Sequence, residues 1–291
     1  MSLCRILLVI SVILTITVVI LAALCCRTRS GFAVKPCREY GSESNKKELY
    51  TKSKDVLDQP MIISYSLWGD APCYNYGMLE NVLMAREYYK NASIYIYTKM
   101  DTVIPEVLNL LQEIPYVKII PSNTNCMYSA RFEPCFESDL PVLSRDADSR
   151  ITSRESAAVR EWLESNKDFH IMRDDPSGHW SSIMGGMFGV RNGAMKPFRE
   201  AFEEGIRDTQ WNCDQGFLNK HVYPKVVSNA FIHDEYKTYF DEGHSKTFPE
   251  YGDEHVGKIN CESYQRASAI IKKPFDGSYR PPNTWNGITS Q

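Results

Sequence analysis

Apolar positions along the chain change their spacing several times, and each change marks an element. Residues 6–24 carry no charge and are interrupted only by Ser11, Thr15 and Thr17. At 1.5 Å per residue this run nearly crosses a hydrocarbon core of roughly 30 Å, so it must enter a membrane or be removed. Three readings compete: an uncleaved signal anchor, a long cleaved signal peptide ending near Ala23-Leu24-Cys25, and a buried core helix. A core helix at a chain end needs a polar face that this run lacks, and a cleaved signal usually has a shorter apolar stretch. The pattern therefore predicts a membrane anchor over residues 1–26. Residues 27–59 are polar without any apolar period and read as a stalk.

From residue 60 the pattern alternates. Residues 61–68 predict a strand, 69–72 a turn, and 79–89 a helix with Leu79, Val82 and Leu83 at helical spacing. Strands at 93–98 and 116–121 flank a helix at 105–114 opened by Pro105. A short apolar strand at 140–144 runs straight into Arg145-Asp146-Ala147-Asp148. Thr152 and Glu155 then form a capping-box pair for a helix with Ala158, Trp162 and Leu163 on its buried side. A strand at 169–172, a glycine-rich patch at 185–189, helices near 195–205 and 214–222 and a strand at 225–231 follow. Residues 261–291, with Pro274, Pro281 and Pro282, read as an irregular tail. Alternating strands and helices predict an α/β fold, a mostly parallel central sheet covered by helices, over residues 60–260.

Charge narrows the partners. With 33 basic and 36 acidic residues interspersed, the net charge is -3, and no polycationic surface exists to neutralise a phosphate backbone. Nucleic acid is excluded as a partner on that ground. The 17 Tyr and 5 Trp supply rings with polar tips, which suit carbohydrate and nucleotide faces as well as cores. Six of the nine cysteines (Cys37, Cys73, Cys126, Cys135, Cys213 and Cys261) lie beyond the apolar run, and none has zinc spacing.

In an open α/β sheet ligands gather at the carboxyl ends of strands, where Asp146 and Asp148 sit. Two carboxylates one residue apart can converge on one hard divalent cation, Mg²⁺ or Mn²⁺, which in turn grips diphosphate oxygens. The same pair can also simply flank a turn and cap the next helix. Asp214-Gln215 at a helix start can serve acid-base chemistry or merely meet the helix macrodipole.

Several segments together resemble a family of GT-A-fold glycosyltransferase-like proteins. They are Arg145-Asp146-Ala147-Asp148-Ser149-Arg150, His170-Ile171-Met172-Arg173-Asp174, Met184-Gly185-Gly186-Met187-Phe188-Gly189, Asp214-Gln215-Gly216-Phe217-Leu218 and His233-Asp234. The opening strand with Ser66, Trp68 and Gly69 looks like that family's first strand and nucleotide loop. The resemblance spans about residues 61–257. It implies a GT-A-like nucleotide-diphospho-sugar transferase fold, a nucleotide-sugar donor, a glycan, protein or lipid acceptor, and Mn²⁺ or Mg²⁺. It implies metal ligation by Asp148, metal or ribose binding by Asp146, and His233 as a third ligand. Ser66, Trp68, Gly185 and Gly186 would line the donor site, with Asp214, Gln215 or Asp174 near the reacting carbon. Two other readings stand beside this one: a noncatalytic carbohydrate-binding or scaffold protein on a degenerate transferase fold, and a nucleotidyltransferase.

Topology draws two opposed signals. Arg27, Arg29, Lys35 and Arg38 follow the apolar run, and by the positive-inside rule they place the large domain in the cytosol. The resemblance, the sequon Asn91-Ala92-Ser93 and the six cysteines favour a secretory lumen. Large domains translocate largely regardless of flanking charge, so a type II, single-pass, lumenal arrangement is expected.

Overall fold

Alternate residues of the first strand serve two different cores. In β1 (Met61–Leu67), Met61, Ile63, Tyr65 and Leu67 pack on one face, while Ile62 packs on the other, ahead of Ser64 and Ser66. The computed structural model describes residues 56–205, 212–237, 240, 242–252 and 254–261. The membrane anchor, most of the stalk, Trp211 and the tail beyond residue 261 lie outside them. Among the described residues no helix is long and apolar enough to cross a membrane.

Six more strands join β1: β2 (Ala92–Thr98), β3 (Val117–Pro121), β4 (Val142–Arg145), β5 (Phe169–Arg173), β6 (Met187–Val190) and β7 (Ala230–Asp234). Their order across the sheet is β3-β2-β1-β4-β6-β5-β7. Only β6 runs against its neighbours, so the carboxyl ends of the other six strands share one edge. The expected α/β architecture with a mostly parallel sheet is the one observed.

On one face lie α1 (Pro72–Tyr88), α2 (Pro105–Glu113) and α5 (Ser153–Glu164), whose Leu79, Val82, Leu111 and Trp162 close the first core. On the other face α3 (Met127–Ala130), α4 (Glu133–Glu137), α6 (Arg199–Gly205), α7 (Cys213–Phe217) and α8 (Tyr223–Val226) accompany a second core. Phe132, Phe136, Phe202 and Phe217 fill it against Ile62, Val142 and Phe188. Thr152 caps α5 as predicted, its Oγ1 accepting from the Glu155 amide at 3.1 Å. The Glu155 side chain does not reach back to the cap. It takes a 2.7 Å hydrogen bond from Arg145 Nε instead, and both side chains are buried.

Several boundaries depart from the sequence pattern. Helix α1 starts at Pro72, before its apolar period sets in, because proline suits the first helical turn. The glycine patch turns out to contain β6, and Gly189 is closely packed there, a Cβ sitting 3.0 Å from the Trp162 ring. The last strand begins at Ala230 rather than 225, residues 223–226 being helical around Pro224. Both α3 and α4 are too short to show a period.

Two disulfides cross-link this frame. Cys73 of α1 joins Cys261, and Cys126, just before α3, joins Cys213 of α7; Cys135 is buried and free. The second bridge closes a span of 87 residues, so replacing both Cys126 and Cys213 with Ser should cost roughly 2–4 kcal/mol. The expected readout is a lower denaturant midpoint than that of the unmodified chain. An unchanged midpoint would show that the bridge carries no stability.

Candidate functional site

At the shared carboxyl edge the chain assembles a charged cluster around an arginine. Period two in β1 turns Ser66 to the face opposite Tyr65 and Leu67, where its Oγ accepts from the Arg131 amide at 3.0 Å. That contact fixes the residue following α3. The Arg131 guanidinium then spans two carboxylates: Nη1 donates to Asp146 Oδ1 at 2.6 Å, and Nη2 to Asp214 Oδ2 at 3.0 Å. Arg131 and Asp214 are buried, whereas the Asp146 side chain remains 44% exposed. Burial pushes the Asp214 carboxyl above its ordinary range even though Arg131 pulls it down.

Asp146 is the first residue beyond β4, and the turn it opens is firmly held. Asn81 Nδ2 of α1 donates to the carbonyls of Ala147 at 3.3 Å and Ser149 at 2.8 Å. Arg150 Nη1 donates to the same two carbonyls at 3.1 and 2.9 Å, and the Asn260 amide donates to the Asp148 carbonyl at 2.7 Å. The Cys73–Cys261 bridge ties that last segment back to α1. These bonds hold the backbone of the turn that carries Asp146 and Asp148. Burial, followed by the neighbouring Asp146 charge, pushes the Asp148 carboxyl up to about 6. Tyr74 shares a hydrogen bond with Asp148, and burial together with that charge drives its hydroxyl upward as well.

The two glycines before β6 exist for the carboxylates. A Cβ on Gly186 would lie 1.8 Å from Asp146 Oδ2, and one on Gly185 would lie 2.6 Å from Asp214 Oδ2 and 2.7 Å from Arg131 Nη2. A side chain at either position would have to displace those carboxylates or the guanidinium. Gln215 holds this segment in place: its Oε1 accepts from the Gly185 amide, and its Nε2 donates to the Ile183 carbonyl at 2.8 Å. Ser144 of β4 adds a 2.7 Å hydrogen bond from Oγ to the Gly185 carbonyl. Gln215 is therefore a positioning residue, with both ends of its amide engaged.

Ser66, Asp146, Gly185, Gly186, Asp214 and Gln215 are thus brought together, with Asp148 beside Asp146. Trp68 packs edge-on against Tyr128 of α3, ring centroids 4.9 Å apart. The other two expected residues go elsewhere. Asp174 is buried and bound bidentately by Arg154, at 2.7 Å from both Nε and Nη2, and also accepts from the Val256 amide at 2.8 Å. Its carboxylate is fully committed to that pair.

His233 stands in register with Met172 of β5, three strand spacings from β4, or roughly 14 Å across the sheet. It points to the face covered by α5. One ring nitrogen meets His170 at 2.9 Å and the other Glu161 at 3.2 Å. Burial lowers the pKa of both histidines. The structure does not bring His233 to the Asp146–Asp148 turn, and among the described residues no cluster of three or more His, Cys, Asp or Glu is placed to hold a metal.

Arg131 escaped the sequence reading because residues 122–139 carry no period. The one available clue was Cys126, five positions before it, pairing with Cys213, next to Asp214.

No protein-family model matches the chain, and no curated protein does. Among solved structures it is similar to a mannosyltransferase from Pyrobaculum calidifontis in complex with GDP-Man and Mn²⁺, at 11% identity and a TM-score of 0.43, covering 69% of this chain and 66% of that one. A galactosyltransferase, LgtC, in complex with donor and acceptor sugar analogues matches at 11% identity and a TM-score of 0.45, covering 78% of this chain and 99% of that one. The 4-diphosphocytidyl-2C-methyl-D-erythritol synthase of Anaerococcus prevotii matches at 10% identity and a TM-score of 0.43, covering 75% of this chain and 99% of that one. Likeness at this level assigns no residue a role.

Removing Arg131 leaves the buried Asp214 carboxylate without its counter-charge. Arg131→Met should therefore cost about 3–5 kcal/mol in a denaturant titration, the usual penalty for one stranded partner of a buried pair. A loss below 1 kcal/mol would show that the guanidinium carries no structural charge.

Proposed function

We propose that the chain is a metal-dependent glycosyltransferase that moves a sugar from a nucleotide-sugar donor to an acceptor hydroxyl on a glycan, protein or lipid. The observation carrying this reading is the crowded pair Asp146 and Asp148 at the carboxyl end of β4, beside a buried guanidinium. A buried carboxylate crowded by a second one, as Asp148 is by Asp146, forms a site that a divalent cation relieves. Their all-oxygen donor set fits Mg²⁺ or Mn²⁺, which commonly take one or two carboxylates and fill the rest of their shell with water and substrate phosphates. Asp148 and the free oxygen of Asp146 would hold the ion. When bound, it supplies positive charge to the departing diphosphate.

The chain's own residues do the remaining work in this reading. Arg131 orients Asp146 and adds positive charge on the diphosphate side. Gln215 and Ser144 keep Gly185-Gly186 bare and close. Asp214, buried and negative, steadies the cationic character that develops at the anomeric carbon, or receives the proton of the attacking hydroxyl. The bond from the anomeric carbon to the diphosphate breaks with its electron pair on the phosphate, and the acceptor oxygen forms the new bond. Ser66 and Trp68 sit where the first strand would meet the nucleotide. Asp174 and His233 have no part in this reading, since they lie at the ends of β5 and β7, away from the Asp146–Asp148 turn, in contacts with Arg154, His170 and Glu161.

For localisation we propose a single-pass type II protein with the domain in a secretory lumen. The two disulfides support that side of the membrane, because such bridges persist in oxidising compartments.

Screening nucleotide-sugar hydrolysis and transfer with Mn²⁺ and with a chelator tests the activity. Turnover is expected only with the metal, and equal rates in chelator would contradict the metal assignment. Asp148→Ala should abolish Mn²⁺-dependent binding of a nucleoside diphosphate while leaving the melting temperature within a few degrees, and unchanged affinity in calorimetry would show the ion to be elsewhere. Asp214→Asn should lower kcat by roughly 10² with donor affinity nearly constant. Full turnover in that variant would remove Asp214 from the chemistry.

A further inference from the structure

Outside the arginine cluster, one cavity of about 350 Å³ opens between the residues that follow β5, those that follow β7, and residues 251–255. Strands β5 and β7 run parallel to β4, so this cavity lies on the same edge of the sheet as Asp146. Two strand spacings separate β4 from β5, or roughly 10 Å. His179 links the two places: its Nδ1 accepts from the amides of Asp174 and Asp175 at 2.8 and 3.0 Å, its ring meets that of His255, and the charge of Asp146 acts on it.

The walls have a definite chemistry. Four acids line it, Asp174, Asp175, Glu235 and Glu254; Arg154 pairs with Asp174 and Glu235, Lys258 pairs with Glu254 at 2.9 Å, and the His255 ring lies 3.8 Å from Asp175, so the acids still outnumber the cations Arg154 and Lys258. The cavity therefore carries surplus negative charge and repels phosphate, sulfate and carboxylate groups. Its rim is aromatic. Among the described residues three large aromatic side chains stand exposed: Tyr236 at 55% and Tyr251 at 94% line this cavity, and Trp180 at 65% follows His179 directly. Tyr236 and Tyr251 thus present ring faces at the cavity that the described residues leave exposed. A volume of this size accepts a small ligand.

We propose that this cavity is a saccharide subsite for a hydroxyl-rich ligand without negative charge, and, resting on the transferase reading above, the seat of the acceptor. Sugar rings present apolar faces that lie on aromatic side chains, and their hydroxyls donate to carboxylate oxygens. The same charges disfavour a nucleoside diphosphate in this cavity.

The test titrates the full-length protein with neutral oligosaccharides of glucose, galactose, mannose and N-acetylglucosamine and with their sulfated counterparts, following binding by saturation-transfer NMR and calorimetry. At least one neutral member should bind, more tightly than its sulfated form, and its affinity should fall about tenfold in Tyr251→Ala and in Tyr236→Ala, the weight of one aromatic contact. Both rings are exposed, so melting temperatures should not change. Absence of binding by every neutral member, tighter binding of a sulfated one, or unchanged affinity in both tyrosine variants overturns the proposal. A parallel titration with nucleoside diphosphate and Mn²⁺ keeps the two readings apart. Saccharide binding without diphosphate binding would sink the transferase and leave the subsite; diphosphate binding without saccharide binding would sink the subsite and leave the transferase.

Discussion

One buried guanidinium organises the functional edge of this protein. Arg131 lies between Asp146 and Asp214, which come from segments far apart in sequence and from different sides of the sheet's functional edge. Burying a charge costs several kcal/mol unless it is paired, so neither Arg131 nor Asp214 can stay in place without the other. The surrounding structure is consistent with that demand. Ser66 fixes the Arg131 backbone from β1, the Cys126–Cys213 bridge ties the segments that carry Arg131 and Asp214, and two glycines leave room for the carboxylates. The arrangement is not fully satisfied, because Arg131 Nε is buried with no hydrogen-bond partner among the described residues.

The same cluster separates two kinds of negative charge. Asp214 is paired with Arg131 and buried. Asp148 has no ion pair among the described residues and sits on a turn held by Asn81, Arg150 and Asn260, so burial, followed by the Asp146 charge, pushes its carboxyl up to about 6. In the reading proposed here, the compensated carboxylate and the crowded pair receive a divalent cation with an anionic ligand, while the second cavity on the same edge, lined by carboxylates and tyrosines, takes a ligand of the opposite character.

Much of this edge was legible in the sequence. The apolar run at 140–144 ending on Asp146 located the turn, and Thr152 with Glu155 located the helix behind it, because both signals are local. Gly185-Gly186 and Asp214-Gln215 stood out in the sequence, and the structure brings them together, although their contacts were not legible. What stayed hidden depends on pairings distant in sequence. Arg131 follows a four-residue helix with no period, and nothing local marks it as the partner of Asp146 and Asp214. Asp174 looked free at the end of a strand, but Arg154, twenty residues earlier, claims it. His233 looked available for the same reason, and only the register of β7 beside β5 shows it turned beneath α5 toward His170 and Glu161.

The central claim is that Asp146 and Asp148 form, with Arg131 beside them, a seat for a divalent cation and a nucleoside diphosphate. A crystal soaked with Mn²⁺ and a nucleoside diphosphate, with data collected at the manganese edge, tests it most directly. The account predicts one anomalous peak within coordination distance of Asp148, with diphosphate oxygens completing its shell on the side of Arg131. A peak elsewhere on the protein, or diphosphate bound with no ion at these aspartates, would contradict it.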